Sequence, residues 1–147
     1  MKTLKTILFG LALVMATTIA NANVNTTVSH YVSNALSKND VVNAYTNALM
    51  HGNLQNLEAA LAKDVEYNMY RGSQVYKLNK QALIDSFKAS ENVEQNCQYT
   101  TSILSDVDKT MVVRLDQQYE GYVRSSTITI KQQGNDWKIT KIETRNN

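Results

Sequence analysis

From Val93 to Arg145 the chain alternates apolar and polar residues with a period of two. Met111, Val113 and Leu115 are interleaved with Val112, Arg114 and Asp116, the pattern of a half-buried strand. After Glu120-Gly121, Ile128 and Ile130 alternate with Thr127, Thr129 and Lys131, and Gly134-Asn135-Asp136 supplies turn residues before Trp137 and Ile139. The spacing predicts four strands, at about Val93–Leu104, Thr110–Tyr119, Tyr122–Lys131 and Trp137–Thr144. Asp106-Val107-Asp108 turns between the first two.

Upstream the period changes to that of helices. Asp40 is a good N-cap, and Val41, Ala44, Tyr45, Ala48 and Leu49 behind it form one apolar stripe. Gly52 can end this helix with a positive φ. Asn53 caps a second, shorter helix with Leu54, Leu57 and Leu61 on its buried face. Val65, Tyr67 and Met69 alternate with Glu66, Asn68 and Tyr70 as a further strand. Arg71-Gly72-Ser73 breaks it before a short extended arm, Gln74 to Leu78. Asn79 caps a third helix with Ala82, Leu83, Ser86 and Phe87 on one side. An apolar sheet face must be covered. The order helix, helix, strand, helix, meander therefore predicts an α+β fold, with helices collected on one face of an antiparallel sheet.

The N-terminus adds an address. Lys2 and Lys5 precede the apolar run Ile7–Met15, and Ala20-Asn21-Ala22 is a cleavage site of small residues. The apolar run is shorter than the roughly 20 residues of a membrane span. The expectation is a signal peptide at residues 1–22, an N-terminal leader at 23–38 and one domain at 39–147, exported to the periplasm or the medium. In the leader, Val28, Val32 and Ala35 stand at helical spacing. The chain carries 15 Lys and Arg against 13 Asp and Glu. Cleavage would remove Lys2 and Lys5 and leave the two signs equal. With no basic run, nucleic-acid binding has no electrostatic basis. The single Cys97 cannot form an internal bridge and reads as a small buried hydrophobe. His30 and His51 lie in no metal-ligand spacing, His51 near a helix end being a dipole partner. No phosphate loop, dinucleotide fingerprint or Ser-His-Asp pattern is present. No cofactor is implied.

The element order, the corner His51-Gly52-Asn53 and the ending Trp137-Lys138-Ile139 resemble the nuclear transport factor 2-like superfamily over about Asp40 to Thr144. The signal sequence, the tyrosine-bearing first helix and Glu91-Asn92-Val93 resemble most closely its exported, SnoaL-like branch named putative lumazine-binding. The resemblance implies a cone: a curved antiparallel sheet with three helices packed on its concave face, enclosing a pocket at the open end. Ketosteroid isomerase-like members of the superfamily carry a Tyr seven positions before the corner Gly, where Tyr45 stands. They carry a general-base Asp at the end of the first strand, where an ungapped count places Met69. A thioether takes no proton. Their third element is a protonated Asp on a late strand, and Ser125–Lys131 contains no carboxylate.

If the cone is real, Tyr45, Tyr67, Met69, Tyr99, Tyr119 and Trp137 have the parity to face inward. Aromatic walls with a few hydroxyls suit a small, flat, mostly apolar ligand, though the same stripe also fills a core. Arg124 shares the parity of Ile128 and Ile130, and an inward guanidinium needs an acidic partner or an anionic ligand. The plainer reading is an exposed strand-end Arg. Arg114 and Asp116 fall on the convex side, a polar surface that allows a homodimer without demanding one. The sequence therefore points to an exported, non-catalytic small-molecule-binding or interaction domain. The alternative is an isomerase, dehydratase or cyclase of the same fold whose acid-base pair would start from Tyr45 with Tyr67 or Tyr119.

Overall fold

A computed structural model describes residues 35–147. The expected signal peptide at 1–22 and all but the end of the expected leader at 23–38 lie outside the described residues. Helix α1 spans Lys38–His51 and α2 Leu57–Ala60. Strands β1 (Leu61–Arg71) and β2 (Gln74–Leu78) precede α3 (Lys80–Lys88). The meander is β3 (Gln98–Val107), β4 (Thr110–Tyr119), β5 (Tyr122–Gln133) and β6 (Asp136–Asn146). The strands form one sheet in the order β2-β1-β6-β5-β4-β3.

The α1 cap lies earlier than the sequence suggested. Ser37, not Asp40, is the N-cap, and Asp40 is the third helical residue of a capping box. The Ser37 hydroxyl accepts from the Asp40 amide at 3.2 Å and the Asp40 carboxylate accepts from the Ser37 amide at 2.9 Å. Two otherwise unpaired donors are thus satisfied. Asn53 does not cap α2 either. Its side chain accepts from the Gln55 amide at 3.0 Å and builds a turn, so α2 starts only at Leu57 and Leu61 is already strand. The Asn79 cap holds, with the Ala82 amide at 2.9 Å, but α3 buries Leu83, Ile84 and Phe87 rather than Ser86.

Two further differences concern the sheet. It is mixed: β1 and β6 run parallel, while the other neighbouring pairs are antiparallel. The whole meander separates these two strands, so no local turn signal sets their relative direction. The strand expected from Val93 begins at Gln98. Residues upstream spend their amides on α1 instead: Asn92 donates to the Gly52 carbonyl at 3.0 Å and Gln95 to the Met50 carbonyl at 2.8 Å. Asn92 itself has φ 60°. The turn into β4 uses Asp108, at φ 52°, and Lys109 rather than Asp106 and Val107.

Register assembles the concave face in rows. Met111, Ile130, Ile139 and Leu61 form one, and Val113, Ile128, Ile142 and Tyr67 the next. Every aliphatic member of both is at most 2 % exposed. Burying each such side chain contributes about 1.5–3 kcal/mol. The third row is Thr101, Leu115, Ser126, Thr144, Met69 and Tyr76; the fourth is Tyr99, Gln117, Arg124 and Asn146. The face therefore grades from aliphatic to polar along the strands, and α1 lies over that gradient.

Candidate functional site

The polar end is organised by Gln117. Its side chain is fully buried, yet it points from β4 into a region of sulfur atoms and rings. Its Nε2 donates to the Tyr119 hydroxyl at 2.9 Å and lies 3.4 Å from Met50 Sδ and 3.9 Å from Cys97 Sγ. Its Oε1 is buried with no partner among the described residues. Turning the amide over exchanges the atoms but still leaves one polar atom unpaired. A buried unpaired acceptor costs about 1–3 kcal/mol. One row away, the Ser126 and Thr144 hydroxyls pair at 2.9 Å, both buried.

Above these stands Tyr45, on the buried stripe of α1 and 1 % exposed. Its ring meets Phe87 of α3 edge-on, with centroids 5.8 Å apart. Burial pushes its phenol far above the usual tyrosine range; Tyr67 adds to this and the Arg124 charge opposes it. No described residue hydrogen-bonds its hydroxyl. Tyr119 is half-buried beside Gln117. Burial, then a hydrogen bond with Cys97, push its phenol up to about 12. Its hydroxyl donates to Gln95 at 3.3 Å, and its ring stacks on Tyr122 at 4.9 Å. The Arg124 guanidinium lies 5.5 Å from the Tyr119 ring centre and donates to Asn146 at 3.2 Å. Arg124 has no carboxylate partner among the described residues. A guanidinium stacked on a ring and left without an acid is suited to a carbonyl or anionic acceptor.

The structure sets Tyr119 and Arg124 beside Gln117, with Met69 in the adjacent row beside Thr144, whereas Tyr67 lies one row further, in the aliphatic row of Ile142. Tyr99 shares the Gln117 row but sits on the edge strand, 43 % exposed. Trp137 faces the same side of the sheet at the opposite end. Its amide donates to the Leu36 carbonyl at 3.1 Å, and Lys38 Nζ lies 4.6 Å over its ring. Gln117, Ser126, Thr144, Asn146 and Met50 complete the cluster and were not singled out from sequence. The alternation that begins at Met111 gives Gln117 its inward parity, but a glutamine in a strand carries no signal of burial. Cys97 lies in the loop before β3 rather than on a strand.

The corner is held by contact with that loop. Gly52, at φ 62°, sits so close to Ser90, Asn92 and Val93 that a Cβ there would lie 2.5–2.7 Å from their backbone atoms. His51 Nδ1 is 2.7 Å from Glu94. The sequence pieces His51-Gly52-Asn53 and Glu91-Asn92-Val93 are therefore neighbours in space. Together they set where Met50 and Cys97 meet Gln117 and where Gln95 meets Tyr119.

A curved α+β sheet roofed by helices on its concave side, with a polar cluster at one end, is the nuclear transport factor 2-like fold. Solved nuclear transport factor 2-like proteins of unknown function from Silicibacter pomeroyi and Methylobacillus flagellatus superpose with TM-scores of 0.62 and 0.60. Their identities are 14 % and 19 %; 74 % and 76 % of this chain and 92 % and 95 % of theirs are covered. A nuclear transport factor 2-like protein from Cytophaga hutchinsonii gives 0.56 at 15 % identity, covering 75 % of this chain and 98 % of its own. Within that fold, residues 32–142 match the family described as "Putative lumazine-binding", and the chain belongs to it. No curated protein matches the chain.

Proposed function

We propose that this chain is an exported, non-catalytic binding protein for a small, flat heteroaromatic molecule, held at the polar end of the concave face. The observation that carries the reading is the buried Gln117 amide with one polar atom unpaired, a cost that a ligand N–H or carbonyl would remove. Arg124, stacked on Tyr119 without an acidic partner, would receive a ligand carbonyl or anion. Tyr67 and Tyr119 supply ring faces, and Ser126 and Thr144 a hydroxyl pair. Lumazine, named in the family's description, is a fused two-ring heterocycle with both N–H and carbonyl groups and has the complementary chemistry. Tyr119 covers the amide, so entry requires its hydroxyl to leave Gln117.

The non-catalytic part of the reading rests on proton chemistry. Tyr45, Tyr67, Met69, Gln117, Tyr119, Arg124, Ser126 and Thr144 include no carboxylate or imidazole. The two tyrosines with perturbed phenols are both shifted upward, away from the pKa near the operating pH that a general base needs. Export rests on Lys2, Lys5, the run Ile7–Met15 and Ala20-Asn21-Ala22.

Titration with lumazine, followed by tyrosine fluorescence and calorimetry, tests the site, with native mass spectrometry of protein from its own host as the unbiased companion. The expected result is saturable binding that Gln117→Leu weakens at least about tenfold, or 1.4 kcal/mol. A host-purified protein free of small molecules, together with no lumazine binding, refutes the reading. N-terminal sequencing of protein from the envelope fraction should begin at Asn23.

A further inference from the structure

The six-stranded sheet has two edges, and they are built differently. The β2 edge is short, five residues, with Lys77 near its centre, and Arg71 covers the Tyr76 ring at 5.5 Å. Short, charged edge strands resist pairing with another chain. Among the described residues, the β3 edge has none of these defences along most of its length. It runs ten residues, all exposed, and Tyr99, Ile103, Leu104 and Val107 are 43–63 % exposed. Asp106 is its only charge, and Lys38 holds that carboxylate. It has no Pro. One irregularity, between Ile103 and Ser105, turns Leu104 to the convex side beside Arg114 and Ser125. On the concave side a groove of about 450 Å³ runs between α1 and β3, floored by Val42, Ile103, Met111 and Val113.

We infer that β3 pairs antiparallel with β3 of a second copy of this chain, joining the two sheets edge to edge around Thr101. The argument for a second copy is the strand's self-complementarity. In an antiparallel pair, opposed residues share a face. Centred on Thr101, the register opposes Tyr99 to the partner copy's Ile103 on the concave side, and the reciprocal pair repeats it. Thr100 opposes Ser102 and Gln98 opposes Leu104 on the convex side. Faces match from Gln98 to Leu104, and the irregularity ends the pairing there. Aromatic–β-branched and Thr–Thr pairs are among the favourable cross-strand combinations. No like charges meet, because Asp106 lies beyond the paired segment. The two-fold axis stands perpendicular to the sheet, so both concave faces lie on one side. The two grooves then adjoin across β3 and its copy, forming one trough between the two α1 helices. The convex face stays free; its charges are paired internally, Arg114 with Asp116 at 2.9 Å and Lys141 with Glu143 at 3.2 Å.

Sedimentation velocity over a wide concentration range tests the state, and cross-linking tests the register. The chain should sediment as a dimer. Ile103→Lys, at an exposed position, should weaken association at least 100-fold with its circular dichroism unchanged. Val75→Lys on the opposite edge should leave association as it was. In a Cys97→Ser background, Thr101→Cys should form an intermolecular disulfide on mild oxidation, since opposed Cβ atoms lie about 4.5–5.5 Å apart. Thr100→Cys should not. A monomer at all concentrations overturns the inference, including one whose β3 amides are protected from exchange by something other than a second copy. A dimer indifferent to Ile103→Lys overturns it equally, and would shift the interface to the convex face.

Discussion

Gly52 offers the sharpest test of how the corner is held. A side chain there meets two separate costs. The first is its φ of 62°, worth about 1–2 kcal/mol for any residue with a Cβ. The second is space: the added carbon would lie 2.5 Å from both the Asn92 nitrogen and the Ser90 carbonyl oxygen, all backbone. The loop must retreat, weakening the Asn92–Gly52 and Gln95–Met50 hydrogen bonds, each worth about 0.5–1.5 kcal/mol. Gly52→Ala should therefore cost roughly 2–5 kcal/mol and lower the melting temperature by about 8–20 °C at roughly 4 °C per kcal/mol. Gly134 is the internal control. It has φ 63°, and a Cβ added there would meet nothing within 4 Å, so Gly134→Ala should show the first cost alone. Gly52→Asn separates the two causes, because Asn tolerates positive φ but still carries a Cβ. Urea unfolding of the three variants decides. If Gly52→Asn is close to wild type, or Gly52→Ala costs no more than Gly134→Ala, close contact with the loop is not what fixes the corner.

The remaining expectations are smaller. Gln117→Leu should leave stability within about 1 kcal/mol of wild type or raise it, because it removes a buried acceptor that has no described partner; a large loss in urea unfolding would mean the amide is paired. Tyr45→Phe should change stability by less than about 1 kcal/mol, since no described residue bonds the hydroxyl. In wild type, phenol absorbance should show Tyr45 still protonated above pH 10, ionising only as the protein unfolds: a raised acid pKa confers stability that is complete below the unfolded value and lost as pH climbs. Asp40, Asp116 and Glu143 shift the other way. Ser37 hydrogen bonds lower Asp40; burial raises Asp116 and Glu143, but their hydrogen bonds and the Arg114, Lys141 and Arg145 charges outweigh it. Their stabilisation is complete above the ordinary values of 3.8 and 4.5 and disappears as pH falls through the lowered ones. Urea midpoints should thus fall below about pH 4, and less so in Asp116→Asn.

Strand period two and helix period 3.6 depend only on which side chains must be dry, so they are written locally. That is why the bounds of β4, the inward parity of Met111, Val113 and Leu115, the Asn79 cap and the burial of Val41, Ala44, Tyr45 and Ala48 on α1 were legible from residues alone, whereas Leu49 is half-buried and Met50 takes the buried place at the helix end. The corner glycine was legible too, because positive φ selects it. What needed the folded chain were pairings between distant segments. The parallel β1–β6 neighbours, the docking of Asn92 and Gln95 on the end of α1, and the choice of Ser37 over Asp40 each depend on where a free donor finds its acceptor. Gln117 is the clearest instance. Its identity says polar and its parity says inward. Only the packing of Met50 from α1 and Cys97 from the loop before β3 against it, beside Tyr119 of its own strand, leaves one atom of its amide without a described partner, and the proposal of a ligand there rests on that atom.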